Sequence, residues 1–504
     1  NIPNRFRGDV SPLTTSVRGL RTNVVGWYIQ DDWQVTPNLA VNLGYRHEFY
    51  TVPYEVNGKL ANLRNPLTDS TVTYNAQLDD EAWFNNPSKM SIMPRLGIAW
   101  DPTGEGKMAI RAGAGLFFNH IQPDTFRRAI FRTQPFALET QVRGSTIRSG
   151  CDGSCFPNIF DKIVSAGLGD PDLQLFPFDY MQNPHTAQWN LNFQREIVQG
   201  TALTVGYAGA RGINVMHQTN LNVATANNVN GRLVFPDDAQ VPNQAFSNLG
   251  LLSQEASTDS YYHGLQTSLQ RRFSDGFQIQ ISYTFSKSVD ESSQINSAFT
   301  NNGGGVSYYN EPDLRRSLSA FHVANVFTTS GVWQLPFGND LDGAAGAILG
   351  GWQLGAILKL ADGPPVSVTV DERGALDDLN YGLDTPDQAS GASNNPVLGN
   401  ADRYFDTNAF VFPPDRTAGN VGRNTLIAPG LANFDLSLTK TTHVGETVTV
   451  EFRAEFYNLF IRVNLGLPET LALDGPGEPN PDAGFIDSST TTMRQLQFGL
   501  RIAF

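Results

Sequence analysis

Apolar and polar residues alternate along much of the chain with a period of two. From Phe277 to Ser286, the residues Phe277, Ile279, Ile281, Tyr283 and Phe285 fall on one face, and Gln278, Gln280, Ser282, Thr284 and Ser286 on the other. Successive side chains of a β-strand point to opposite sides. The segment therefore predicts a strand between an apolar and a wet environment. The same alternation places Ala187, Trp189, Leu191 and Phe193 opposite Gln188, Asn190, Asn192 and Gln194. It also sets Val448, Val450, Phe452, Ala454 and Phe456 opposite Thr449, Glu451, Arg453, Glu455 and Tyr457.

About thirteen strands follow from this criterion, at 22–34, 38–50, 92–100, 107–118, 185–197, 201–216, 259–273, 277–288, 318–335, 351–368, 431–441, 447–458 and 494–504. Their connections fall into two alternating classes. Short ones are Thr36 to Asn38, Asp101 to Gly106, Val198 to Gly200, Ser274 to Gly276 and Thr442 to Glu446, with Phe337 to Gly350 a longer member of that set. Long ones are 51–91, 119–184, 217–258, 289–317, 369–430 and 459–493. A soluble β-sandwich also alternates, but it has no reason to sort its loops this way. A membrane-spanning barrel does, with short turns on the periplasmic side and long loops outside. The fold class read from the sequence is thus all-β, an antiparallel transmembrane β-barrel.

Aromatic positions point the same way. Trp33, Trp100, Phe273, Phe277, Trp333 and Trp352 sit near short turns, on the apolar parity of their strands, as does Phe504 at the C-terminus. Rings with one wet edge collect where bilayer meets water, so these residues predict a periplasmic girdle. Asp31 is a misfit, because it shares parity with Trp27 and Trp33.

Composition changes the picture in four ways. The 504 residues are only 40% hydrophobic, and no clean apolar run is long enough for a membrane helix; the stretch Ala344 to Ala361 is broken by Gly350, Gly351, Gln353, Gly355 and Lys359. A net charge of −14 argues against nucleic acid as a partner. Cys151 and Cys155 are close enough to form an extracytoplasmic disulfide that pins a loop, and no further Cys or His nearby suggests a metal. The seven histidines lack ligand spacing, and no nucleophile elbow, phosphate loop or zinc-protease motif is present. The sequence therefore predicts no catalytic residues, metal or cofactor. Acidic loops bearing Asp371, Glu372, Asp377, Asp378, Asp384, Asp387, Asp474, Glu478 and Asp482 offer oxygen ligands for calcium without an EF-hand pattern, and read better as unliganded surface. Loop aromatics Trp83, Phe84, Tyr308 and Tyr309 are candidates for stacking on a ligand, although loop packing is the plainer role. Arg46, Arg111, Glu451, Arg453, Glu455 and Arg501 fall on the polar parity and read as a solvated ladder of charges along a lumen.

Trp27-Tyr-Ile-Gln-Asp-Asp-Trp33 with Thr36 to Arg46, Pro94 to Asp101 with Arg111 to Phe118, Tyr262 to Arg272, Gly351-Trp-Gln-Leu-Gly355, and the ending Gln497 to Phe504 form an ordered set of segments. In that order and spacing they resemble the barrel of TonB-dependent receptors. The set is most similar to the Oar-like branch, whose members carry a carboxypeptidase-regulatory-like domain before the plug. The resemblance implies a barrel of 22 strands with a plug inside it. It also implies import of a bulky ligand driven by TonB, ExbB and ExbD acting through an N-terminal region. On this reading residues 1–504 are the C-terminal part of the barrel domain, without plug or regulatory-like domain, in the bacterial outer membrane and in contact with its lipid. Phe498, Leu500, Ile502 and Phe504 resemble the terminal signal read by the outer-membrane assembly machinery. The competing functions are a passive porin-like channel and a secreted β-rich binding protein.

Overall fold

The computed structural model describes residues 5–9, 17–71, 73–74, 86–121, 139–143, 173–176, 181–246, 251–293, 315–341, 343–371, 385–445 and 447–504. Thirteen long strands form one antiparallel meander, each paired with its neighbours in sequence. They are β1 (Val24–Thr36), β2 (Leu39–Tyr50), β3 (Ile92–Trp100), β4 (Met108–Phe118), β5 (His185–Val198), β6 (Thr201–Asn220), β7 (Leu251–Ser274), β8 (Phe277–Asp290), β9 (Asn325–Gln334), β10 (Trp352–Ala361), β11 (Leu431–Val444), β12 (Val448–Tyr457) and β13 (Gln495–Ala503). These correspond one for one to the strands predicted by alternation.

Several boundaries differ. β6 runs on to Asn220 and β7 begins at Leu251, so strand replaces both ends of the connection read at 217–258. The segment 318–335 is not one strand: Ser317–Leu318 pairs separately with the end of β8, and a turn closed by His322 N donating to Ser319 O at 2.8 Å precedes β9. The segment 351–368 ends as a wall strand at Ala361, and Pro365–Val366 pairs instead with Leu426–Ile427. The connection between β9 and β10 carries a short helix, α1 (Gly343–Leu349), which two-residue periodicity does not signal.

Turn chemistry fixes the short end. Asp275 and Gly276 both have positive φ, 52° and 74°, the two-residue hairpin turn whose twist matches its flanking strands. All long connections leave from the opposite ends of the strands. Register then shows tilt. The row of paired residues that starts at Trp100, the last residue of β3, runs through Ile110, Phe193, Val205, Thr267, Tyr283, Phe327 and Leu360 to Ala432, at the far end of β11. Short turns therefore step progressively along the sheet, the stagger that strands tilted in a barrel wall require.

The buried core lies at the long-loop ends of the strands and among the connections. One cluster joins Tyr50, Leu60, Ile121, Phe176, Met181, Met216 and Ala256. The largest joins residues of the long connections before β11 and before β13, among them Val366, Val368, Phe405, Leu426, Ala472 and Ile486. Two more gather around Phe235 and around Leu251. These loops thus pack on one another as an outer lobe. Within the wall the strands form a single layer, so the apolar face has nothing to pack on. Leu191, Phe285, Phe498 and Leu500 are 53, 54, 64 and 69% exposed. A soluble sandwich would cover such a face with a second sheet. An apolar sheet of this extent cannot stand in water.

Candidate functional site: the polar wall and outer lobe

Paired residues share a face, so register turns alternation into two surfaces. One row reads Trp33, Val41, Ile98, Ala112, Leu191, Tyr207, Leu265, Phe285. Another reads Phe277, Trp333, Leu354, Leu438, Ala454, Phe498. On the other face Arg111 meets Asn192, followed by Gly206, Gln266 and Thr284. The wall is continuous hydrocarbon on one side and hydrogen-bonding groups on the other.

The polar side carries charge ladders. Arg453 Nη2 lies 2.6 Å from Glu451 Oε1, and Arg501 is paired across from Glu451. Arg111 Nη1 donates to Gln194 Oε1 at 2.8 Å, and Arg46 bonds Glu48. Glu455 borders a polar hollow of about 360 Å³, with Gln278, Gln280, Ser330, Asp435, Ser437 and Tyr457. Asp435 Oδ1 accepts from Asn433 Nδ2 at 2.9 Å and from Asn458 N at 2.8 Å. Gly355 keeps the hollow open, because a Cβ there would meet Ser437 Oγ at 2.4 Å. The arrangement offers amide, hydroxyl and carboxylate groups to a ligand, with Ser437 directly across from Glu455. A larger apolar hollow of about 760 Å³, between Tyr45, Leu96, Ala114 and Trp189, lies on the hydrocarbon side and is not part of this site.

The outer lobe is tied to the wall by buried ions. Arg423 and Asp290 are 3 and 2% exposed and meet at 2.6 Å. Arg423 also donates to Ser293 Oγ at 3.0 Å and to Asp290 O at 2.8 Å. Arg315 lies 3.5 Å from Glu291, and Arg232 bonds Asp387. His217, in the part of β6 that extends into the lobe, is fully buried, with Nε2 2.8 Å from Ser257 Oγ. Burial, and then the nearby Arg315 charge, push its pKa down to about 3. A groove of about 660 Å³ on the lobe is lined by Phe410, Phe412, Pro413, Pro414, Arg416 and Pro476, among others. Sequence reasoning missed it, although Phe-Val-Phe-Pro-Pro at 410–414 is an unusual run for a polar loop.

The residues singled out from sequence are placed as follows. Trp33, Trp100, Phe273, Phe277, Trp333 and Trp352 are all next to the short-turn end; those with wall partners pair with the apolar rows. Trp352 is half wet: its Nε1 donates to Ile348 O at 3.0 Å and its ring is 5.9 Å from Lys440 Nζ. Phe498, Leu500 and Ile502 pair with Ala454, Phe452 and Val450, and Phe504 projects 99% exposed. Asp31 stays on the apolar face, opposite Leu43. Trp83, Phe84, Tyr308, Tyr309, Cys151 and Cys155 lie outside the described residues, as do Glu372, Asp377, Asp378 and Asp384. Asp387 is engaged by Arg232 and by Asn420 N, and no group of three metal-ligating side chains occurs among the described residues.

Sequence reasoning also missed a second aromatic belt, at the long-loop end of the apolar face. Trp27 lies 5.1 Å from Tyr45 and 5.9 Å from His47, His47 is 6.3 Å from Phe49, and Phe118 stacks on His185 at 4.7 Å. Trp189 and Tyr207 flank His263 at 6.2 and 6.1 Å. The parity rule that found the first belt would have found this one.

A tilted single-layer wall with one hydrocarbon face, one polar face and an aromatic belt at each end defines a membrane-spanning β-barrel protein. The chain belongs to the outer membrane beta barrel domain family, which it matches over residues 6–497, and its place is the bacterial outer membrane. Similar solved structures include the outer membrane transporter YddB from Escherichia coli, at 11% identity over 95% of this chain and 45% of that one, TM-score 0.46. The FrpB iron transporter from Neisseria meningitidis is 9% identical over 97% of this chain and 46% of that one, TM-score 0.42. A ferric enterobactin receptor, PfeA, from Pseudomonas aeruginosa is 10% identical over 96% and 45%, TM-score 0.43. This chain thus spans less than half the length of each. No curated protein matches it.

Proposed function

We propose that the chain is the C-terminal wall of a TonB-dependent receptor that imports a bulky ligand, with further strands and a plug supplied by an upstream part of the protein. The observation that carries this reading is the continuity of one polar and one apolar face across thirteen strands, with the long connections before β11 and β13 packed into a folded lobe at one end. Such a wall encloses water when closed, and the lobe stands where a ligand would arrive. Among the described residues β1 and β13 each pair on one side only. Unpaired backbone groups are not tolerated in hydrocarbon, so additional strands are required to close the wall. The motif resemblance supports the receptor class and its Oar-like branch. Coupling through TonB, ExbB and ExbD would act on the upstream region. Trp33, Trp100, Phe273, Phe277, Trp333 and Trp352 anchor the periplasmic interface in this reading, and the terminal Phe498, Leu500, Ile502 and Phe504 serve assembly.

The test is liposome swelling with the intact protein. A plugged, energy-coupled receptor leaves sucrose excluded, and a periplasmic fragment of TonB co-purifies with it. Rapid swelling without TonB capture would overturn the coupled reading in favour of a passive channel.

A further inference from the structure

The hydrocarbon face of β6, β7 and β8 ends in a cationic patch. Arg211, His263 and Lys287 share the parity of Tyr207, Leu265 and Phe285, and His263 pairs with both Gly209 and Lys287. Arg211 and Arg316 both approach Tyr261, with guanidinium carbons 5.3 and 4.7 Å from the ring centre. Asp259 takes up part of this charge: Arg211 Nη2 is 2.8 Å from Asp259 Oδ2, which also accepts from Tyr261 Oη at 3.1 Å. Arg315 is bridged to Glu291. Further along the rim, Asp362 accepts from Asn325 Nδ2 at 2.6 Å. Lys287 and Arg316 are exposed and form no ion pair among the described residues. In a chain of net charge −14 this rim is locally positive.

Its height is informative. About 33 Å of strand separates Lys287 from Phe277 at about 3.3 Å per residue, and a tilt of about 40° turns this into about 25 Å. That is roughly the height of the apolar band of an outer-membrane barrel. His263 stands equally far along β7 from Phe273, and Arg211 equally far along β6 from Thr201. Arg211 and Lys287 are thus level with lipid headgroups, above the rings of Trp189 and Tyr207, with Tyr261 beside Arg211 at the same rim. Long cationic side chains at this depth extend toward phosphate, and arginine bonds phosphate through two N–H groups at once.

We infer that this patch binds the phosphate groups of an outer-leaflet lipid, seating a phosphorylated glycolipid against the outside of β6, β7 and β8. The inference rests on the membrane-spanning reading of the wall and not on transport. In the test, the intact protein in non-ionic detergent is titrated separately with a doubly phosphorylated glucosamine lipid and with phosphatidylcholine, and bound lipid is counted by native mass spectrometry. The phosphorylated lipid should be retained at least about tenfold more tightly. The variant R211Q/K287Q/R316Q should lose that preference, whereas R46Q/R111Q/R453Q, which removes equal charge from the polar face, should keep it. Equal retention of the two lipids by the unmodified protein, or an unchanged preference in the first variant, overturns the inference. Displacement of the lipid by millimolar inorganic phosphate would identify a free-anion site and overturn the lipid assignment. If the triple variant loses its heat-modifiable mobility, R316Q alone decides the matter by a reduction of about threefold, since Arg316 is exposed and forms no ion pair among the described residues, Glu291 being bridged to Arg315 instead. A protein that does not insert in bilayers would sink the membrane reading itself; an inserted barrel with no lipid preference sinks only this inference.

Discussion

Moving an arginine by one residue along β8 should have opposite consequences. Ile281 pairs with Leu269 and Thr329 on the hydrocarbon face, while Gln280 pairs with Gln270 and Ser330 on the polar face. Ile281 lies about 13 Å of strand, or about 10 Å of height, above Phe277, close to the middle of the apolar band. Ile281→Arg therefore sets a cation in mid-bilayer, at a cost of about 2–4 kcal/mol. That is about 30- to 1000-fold in the folding equilibrium. Gln280→Arg places the same charge where water, Gln270 and Ser330 can solvate it, so the expected change is below about 0.5 kcal/mol. Guanidinium titration of the intact protein in lipid vesicles, followed by heat-modifiable mobility, reads both. Equal midpoints for the two variants would refute the assignment of faces, because nothing else distinguishes adjacent residues of one strand so sharply.

Three further outcomes are expected. Phe504→Asp should lower the amount of folded protein in the outer membrane several-fold, seen as loss of the heat-modifiable form; normal levels would contradict an assembly role for the exposed terminal ring. Arg423→Ala leaves Asp290 buried and unpaired, which costs about 3–5 kcal/mol, so proteolysis should open the lobe around 385–430 while the wall stays resistant; uniform resistance would refute the tie. Acidification should loosen the lobe: neutral buried His217 titrates near 3 when folded and near 6.5 when unfolded, so its contribution is complete above 6.5 and falls as pH drops toward 3, by about 2 kcal/mol at pH 5. Glu291, pushed up by burial, acts in the opposite sense, so His217→Gln should flatten the acid side of a hydrogen-exchange profile, and an unchanged profile would count against the imidazole.

What was legible in the sequence follows from where period two operates. Each wall strand faces two solvents that do not vary along it, so Phe277 to Ser286 records its own surroundings residue by residue. The lobe has no such constraint. Val366, Val368 and Val370 pack with Phe405, Leu426, Ala472 and Ile486, but those partners are spread among Gly, Pro and Asn with no recurring interval. Thr369–Val370 pairs in parallel with Leu471–Gly475, a contact between two connections that no local pattern announces. The ion pair of Arg423 with Asp290 is equally non-local. Helix α1 escaped because a single turn or two of Gly and Ala resembles a flexible link.

The same reasoning explains why the charged residues divide as they do. A cation on the polar wall, such as Arg453, is answered by a neighbour two residues away on its own strand, Glu451, because water already solvates both and the pair adds little. A cation buried between wall and lobe, such as Arg423, needs a carboxylate together with a hydroxyl and carbonyls, because no water reaches it. At the rim of the hydrocarbon face Arg211 is answered by Asp259, but Lys287 and Arg316 form no ion pair among the described residues. Lys287 follows Phe285 on the same face, one step beyond the greasy stretch, with aromatic rings beneath it. At that height water and the headgroup layer both reach an exposed cation, so its charge costs little there and is free to meet the phosphate of a lipid.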